Sequence, residues 1–287
     1  MLKQIHMRSK FFLDTGSRIN IELPLRRTLQ LLVILLSFGL TAEAQLMKPK
    51  PTFTKEDTLR GSLNENRDWW DVLRYEITVK PNFETKEIEG KVEVYCNVLR
   101  DGQVLQIDLQ QPLIITKVET QGNFFSPQNR NINIPVVETH TVKQEGNVAY
   151  IFFKNKRTKG TKLRFTIFYN GKPREAVNAP WDGGWIWKKD KNNNPFVSVA
   201  VQGLGASAWY PCKDYQGDEP DNGASLTITV PDSLQAIANG KLIKKAKIKK
   251  GKLISFTWDV KNPINNYCIV PYIGKYTNFT DTLMGEK

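Results

Sequence analysis

Residues 74–79, Arg-Tyr-Glu-Ile-Thr-Val, and residues 92–98, Val-Glu-Val-Tyr-Cys-Asn-Val, place an apolar side chain at every second position. A period of two, with β-branched and aromatic residues at the apolar places, marks a strand with one buried face. The turn formers Pro81, Asn82 and Gly90 lie between the two runs. Similar apolar, β-branched runs bounded by Gly, Pro, Asn and Asp recur at 104–109, 113–121, 147–153, 161–169, 196–202, 224–230, 253–258 and 267–273. No stretch longer than ten residues after Ala44 shows a 3.6-residue apolar period. The pattern predicts an all-β domain of about ten or more strands, folded as a sandwich or a large curved sheet.

Upstream, the pattern changes. Arg26 and Arg27 precede the apolar run Leu29–Leu40, and Ala42-Glu43-Ala44 follows it. A basic start, a short apolar core and a small-x-small site form a secretory signal, and the run is too short to span a membrane. Residues 1–44 are therefore expected to be a signal peptide with an over-long start, 45–66 a polar lead-in and 67–287 the β domain. Export to the periplasm or beyond follows, with no stable membrane anchor after cleavage. Removing the leader's six Lys/Arg and three acids takes the net charge from +12 to +9. Seven lysines fall between Lys241 and Lys252. Flanked by Leu242-Ile243 and Leu253-Ile254, they read as a solvated hairpin tip. With no interleaved arginine or aromatic, they give no reason to expect nucleic acid.

Composition narrows the chemistry. The chain has two histidines, His6 and His140, and three cysteines. A catalytic zinc needs three protein ligands, so no metal-binding residue and no catalytic residue can be assigned. His140, among Glu138, Thr139 and Thr141, is expected at the surface. Asp214, Asp218, Glu219 and Asp221 lack the spacing of a calcium loop and read as turn and strand-start groups. Cys96, Cys212 and Cys268 lie in or beside apolar strands, as small buried thiols or with one pair bridged. Trp181, Trp185 and Trp187 flank Gly183-Gly184, either plugging a sandwich end or stacking on a ligand.

The segment 176–231 says more. It carries Pro180-Trp181-Asp182-Gly183-Gly184, then Gln202-Gly203-Leu204-Gly205-Ala206-Ser207 and Trp209-Tyr210-Pro211-Cys212-Lys213-Asp214. Asp218-Glu219-Pro220-Asp221 and Val230-Pro231 follow. With Trp70–Tyr75, Ala238-Asn239-Gly240 and Asn262–Tyr267, these stretches resemble the N-terminal domain of the zinc aminopeptidases of peptidase family M1. The resemblance covers roughly residues 57–287.

It implies a saddle-shaped, largely β domain that precedes a thermolysin-like catalytic domain. In the family that second domain carries G-x-M-E-N and H-E-x-x-H, whose histidines and a distal Glu hold one zinc. Neither motif occurs here, so this chain is expected to be inactive alone and to bind no zinc itself. The resemblance implies one site residue, Gln202, whose family counterpart helps bind the free amino group of a peptide substrate. A Gln carbonyl offers an acceptor to an ammonium without a full charge. The expected function is the N-terminal part of an exported zinc metallo-aminopeptidase. The expected partners are a peptide substrate and a catalytic domain missing from this sequence. The alternative is a stand-alone, non-catalytic β module that binds peptide or glycan.

Overall fold

The computed structural model describes residues 6–11, 19–24, 54–55, 59, 63–125, 133–248, 252–282 and 285. The chain divides into two compact units, Met1–Phe53 and Thr54–Lys287. In the first, β1 (His6–Phe11) and β2 (Ile19–Pro24) form an antiparallel hairpin. The apolar run and the small-x-small site expected of a signal lie outside the described residues.

The second unit begins with β3 (Trp70–Asn82), β4 (Glu87–Val98), β5 (Gly102–Asp108), β6 (Ile114–Phe125), β7 (Asn133–Thr139) and β8 (Thr141–Glu145). It continues with β9 (Val148–Arg157), β10 (Lys162–Gly171), β11 (Gly184–Lys189) and β12 (Pro195–Ala200). The last strands are β13 (Ala224–Pro231), β14 (Gln235–Ile237), β15 (Lys241–Ile248), β16 (Leu253–Val260) and β17 (Tyr272–Gly274). Three sheets result: eight strands in the order β15-β16-β13-β3-β4-β10-β6-β7, four in the order β11-β12-β17-β14, and three in the order β5-β9-β8. The fold is all-β and sandwich-like, as expected.

The alternation that predicts the strands also builds the core. Tyr75, Ile77 and Val79 on β3 and Val92, Val94 and Cys96 on β4 are buried, and their odd-numbered and even-numbered neighbours face outward. On the outer face Arg164 pairs with Glu93. On the inner face a chain of edge-to-face rings ties two sheets together. Phe153 of β9 meets Phe165 of β10 at 6.0 Å, Trp69 meets Phe153 at 6.4 Å, and Trp70 meets Phe165 at 6.4 Å. Such pairs add to the area their rings remove from water. The lead-in is joined to this layer, since Gln106 receives a hydrogen bond from Asn64 Nδ2 at 2.7 Å and donates to Leu59 O at 2.7 Å.

Three expectations are corrected. Of the expected strand 267–273 only Tyr272 and Ile273 fall in β17, because Asn266–Cys268 forms a 3-10 turn capped by Asn265. The lysines from Lys241 to Lys247 lie in the strand β15 itself rather than at a hairpin tip. His140 is buried, not at the surface. Its Nε2 lies 2.8 Å from Thr120 Oγ1, its ring packs on Phe153 at 4.9 Å, and its Nδ1 has no hydrogen-bond partner. Burial holds its pKa below the usual histidine value, against the pull of Glu138.

Candidate functional site

β11 and β12 are paired from Gly184↔Ala200 to Lys189↔Pro195. The closed end of this hairpin is tied by Asp190, whose carboxylate accepts the N–H groups of Asn192 at 2.8 Å and Asn194 at 2.9 Å. The open end carries two loops, 174–183 before β11 and 201–207 after β12. Gln202 sits in the second and is exposed.

The turn around Gln202 is held from beneath. Val201 O accepts N–H groups from Leu204 at 3.1 Å and Gly205 at 3.0 Å. Gln110 Nε2 donates to Leu204 O at 2.6 Å and to Ser207 Oγ at 2.9 Å. Asp214 accepts the N–H of Ser207 at 3.1 Å and its hydroxyl at 2.6 Å, and the N–H of Ala206 at 3.3 Å. Gly205 lies flat on that carboxylate at φ 84°, and a Cβ there would come within 2.3 Å of Asp214 Oδ2. Glycine is thus required twice at this position, by conformation and by space.

The brace continues into the core. Asp214 donates its own N–H to Asp108 Oδ2 at 2.8 Å, and the same oxygen lies 2.6 Å from Arg67 Nη2. Both side chains of that ion pair are fully buried. Burial lifts Asp108 to about 6, with the Arg67 guanidinium opposing the rise. Lys213 turns the other way: it pairs with Asp218, donates to Trp70 O at 2.6 Å and lies 4.7 Å over the Trp70 ring. Asp218 in turn accepts the N–H of Val72 at 3.2 Å. The Trp209–Asp214 and Asp218–Asp221 motifs are thus structural: they fasten one turn to β3 and β5.

The other loop starts against β11, with Ala176 N–H donating to Trp185 O at 2.9 Å and Glu175 paired with Lys86 at 2.8 Å, and its tip is held from within. Asp182 accepts the N–H groups of Val177 at 2.7 Å and Asn178 at 2.8 Å, and the first of these bonds leads in holding its pKa below the ordinary carboxylate value. The three tryptophans separate. Trp185 is fully buried and stacks on the partly buried Trp187 at 5.1 Å, whereas Trp181 is 76% exposed. The two loops touch, because a Cβ on Gly183 would meet Leu204 at 2.7 Å.

The sequence matches the peptidase M1 N-terminal domain over residues 72–268. The chain belongs to this family. Its fold is similar to that of an M1 zinc metallopeptidase from Deinococcus radiodurans, at TM-score 0.56 and 15% identity over 73% of this chain and 43% of that one. A mutant from the same organism bound to a Tyr-Ser-Ala substrate gives TM-score 0.55 and 17% identity, over 71% and 42%. A two-domain M1 zinc metallopeptidase mutant bound to L-arginine gives 0.56 and 16%, over 73% and 43%. The M1 N-terminal domain described here therefore spans less than half the length of those structures. No curated protein matches the sequence.

The zinc of such proteins finds no fit in the residues described here. No three His, Cys, Asp or Glu side chains converge on a common point among the described residues. His140 is enclosed by Thr120 and Phe153. Cys96 and Cys212 are buried and Cys268 is partly so, and burial pushes Cys96 up to about 12, far from the thiolate a metal takes. Gln202, the one site residue expected from sequence, is on a surface turn at the loop-bearing end of β11–β12. Gln110 and Asp214 hold that turn. The contacts of Gln110 span 94 and 97 residues, and no local pattern announces them, whereas those of Asp214 span only seven and eight.

Proposed function

We propose that this chain is the substrate-orienting domain of an exported zinc aminopeptidase, with Gln202 accepting a hydrogen bond from the free amino end of a peptide. The observation that carries the reading is the exposed Gln202 on a turn braced by Gln110, Asp214 and the buried Asp108. A donor or acceptor that must meet a substrate is best held on a rigid frame, and this turn has one. The zinc and the general base belong, on this reading, to a catalytic domain beyond this sequence, and the chain alone neither binds zinc stoichiometrically nor hydrolyses a leucyl-anilide.

The test is Gln202→Ala in the two-domain enzyme. The expected result is a kcat/KM lower by about 1–3 kcal/mol of transition-state binding on an amino-acid amide. Unchanged kinetics would remove Gln202 from the site. A second reading, a stand-alone peptide-binding module, has one observation in its favour: Trp181 and Val177 stand out at 76% and 90% exposure on a pinned loop. Peptide binding by this chain that is lost in Trp181→Ala and kept in Gln202→Ala would favour it.

A further inference from the structure

β15 is the outermost strand of the eight-stranded sheet and pairs with β16 alone among the described residues. An edge strand turns every second N–H and C=O outward, unpaired and ready for another strand. From Lys244 to Ile248 the register with Leu253–Thr257 is unbroken. Five residues at ~3.3 Å make roughly 16 Å of regular edge. The irregularity between Leu242 and Lys244 bounds it on one side.

The charge on this edge is unmatched. Among the described residues no ion pair involves Lys241, Lys244, Lys245 or Lys247, and Asp259, opposite Lys241, is already engaged by Arg74. The lysines also divide between the two faces. Lys245 and Lys247 stand opposite the buried Phe256 and Ile254, with Lys245 Nζ 5.2 Å over the Phe256 ring. Lys241 and Lys244 stand opposite Asp259 and Thr257, on the other face. Ile243, between Lys241 and Lys244, and Ile248, at the end of the strand, are exposed beside them.

We propose that the edge of β15 binds an acidic, extended peptide segment of another protein, which adds to the sheet as a ninth strand. A flat anionic membrane would use lysines gathered on one face, and here they flank the backbone from both. A second copy of this chain would set lysine against lysine, which disfavours pairing. An acidic strand instead points side chains to both faces alternately, about 4.5–5.5 Å from their cross-strand neighbours. Backbone hydrogen bonds supply its affinity and the lysines its choice of partner.

The test uses the whole chain and a labelled seven-residue peptide of Glu, Val and Thr, followed by fluorescence anisotropy. Saturable binding that weakens with salt is expected, with slowed amide exchange at 244–248. Lys244→Glu/Lys245→Glu/Lys247→Glu should weaken it roughly tenfold or more, at exposed positions that leave the fold intact. The same peptide N-methylated along one edge should fail to bind. Equal binding of the N-methylated peptide, tighter binding to phosphatidylglycerol vesicles, or no binding at low salt would each overturn the proposal.

Discussion

The two loops at the open end of β11–β12 use one device at two depths. In each, a carboxylate gathers backbone N–H groups: Asp214 takes those of Ala206 and Ser207, and Asp182 takes those of Val177 and Asn178. Asp214 is fastened to the buried Asp108–Arg67 pair, however, whereas Asp182 bonds within its own exposed loop. The bonds to Asp182 are the shorter, 2.7 and 2.8 Å against 3.3 and 3.1 Å to Asp214, so length does not set their worth. What differs is what each carboxylate rests on. A buried charge that loses its partner has no water to turn to, while an exposed one does. The turn bearing Gln202 should therefore yield only with the domain, and the loop bearing Trp181 should loosen by itself.

Asp108→Ala puts the largest strain on this distinction. It removes the carboxylate that faces the buried Arg67 guanidinium and the acceptor of Asp214 N–H, so a loss of about 3–5 kcal/mol is expected in urea unfolding. A loss below ~1 kcal/mol would mean that the brace is not anchored in the core. The two glycines of the turn sharpen the point. Gly205→Ala meets both a positive φ and the Asp214 carboxylate and should cost roughly 2–3 kcal/mol. Gly203→Ala has a similar φ of 69° but open space around it, so it should cost only about 1 kcal/mol. Equal costs would show that the carboxylate moves freely, against the rigid frame inferred for Gln202.

These anchors show what the sequence could and could not disclose. Strands β3, β4, β10 and β13 were legible because each buries one face, and a period of two is then forced on the residues. β11 was not, since Trp185 and Trp187 offer only two alternating positions beside Gly184. The motif from Trp209 to Asp221 was legible as a family mark, yet its work was hidden: Lys213 meets Trp70 across 143 residues. His140 misled because its chain neighbours are polar. Its burial is decided by Thr120 and Phe153, which arrive from other strands.

His140 offers a buried polar group without such a brace, and it predicts a smaller, pH-dependent effect. Its folded pKa lies below the ordinary 6.5, so the unfolded chain takes up its proton first as pH falls. Stability from the neutral ring is complete above about 6.5 and is lost as pH drops through the lower folded value. Between pH 7.5 and 5.5 the protein should lose more stability than His140→Gln, which keeps a polar group beside Thr120 and cannot titrate there. Parallel losses in the two proteins would assign the acid sensitivity to other groups.

The smallest global effect should come from Asp182→Ala, and that smallness is itself the test of the comparison. Asp182 holds only N–H groups within its own loop, and both of them can turn to water. The urea midpoint should stay where it is. Amide exchange at Val177 and Asn178 should nonetheless quicken, while Ser207 and Leu204, on the neighbouring turn, keep their protection. Leu204 packs where a Cβ on Gly183 would lie, so a change that spread would be read there first. Faster exchange at Leu204 would mean that the two loops move as one body, and that Trp181 and Gln202 are set by a shared frame rather than by separate anchors.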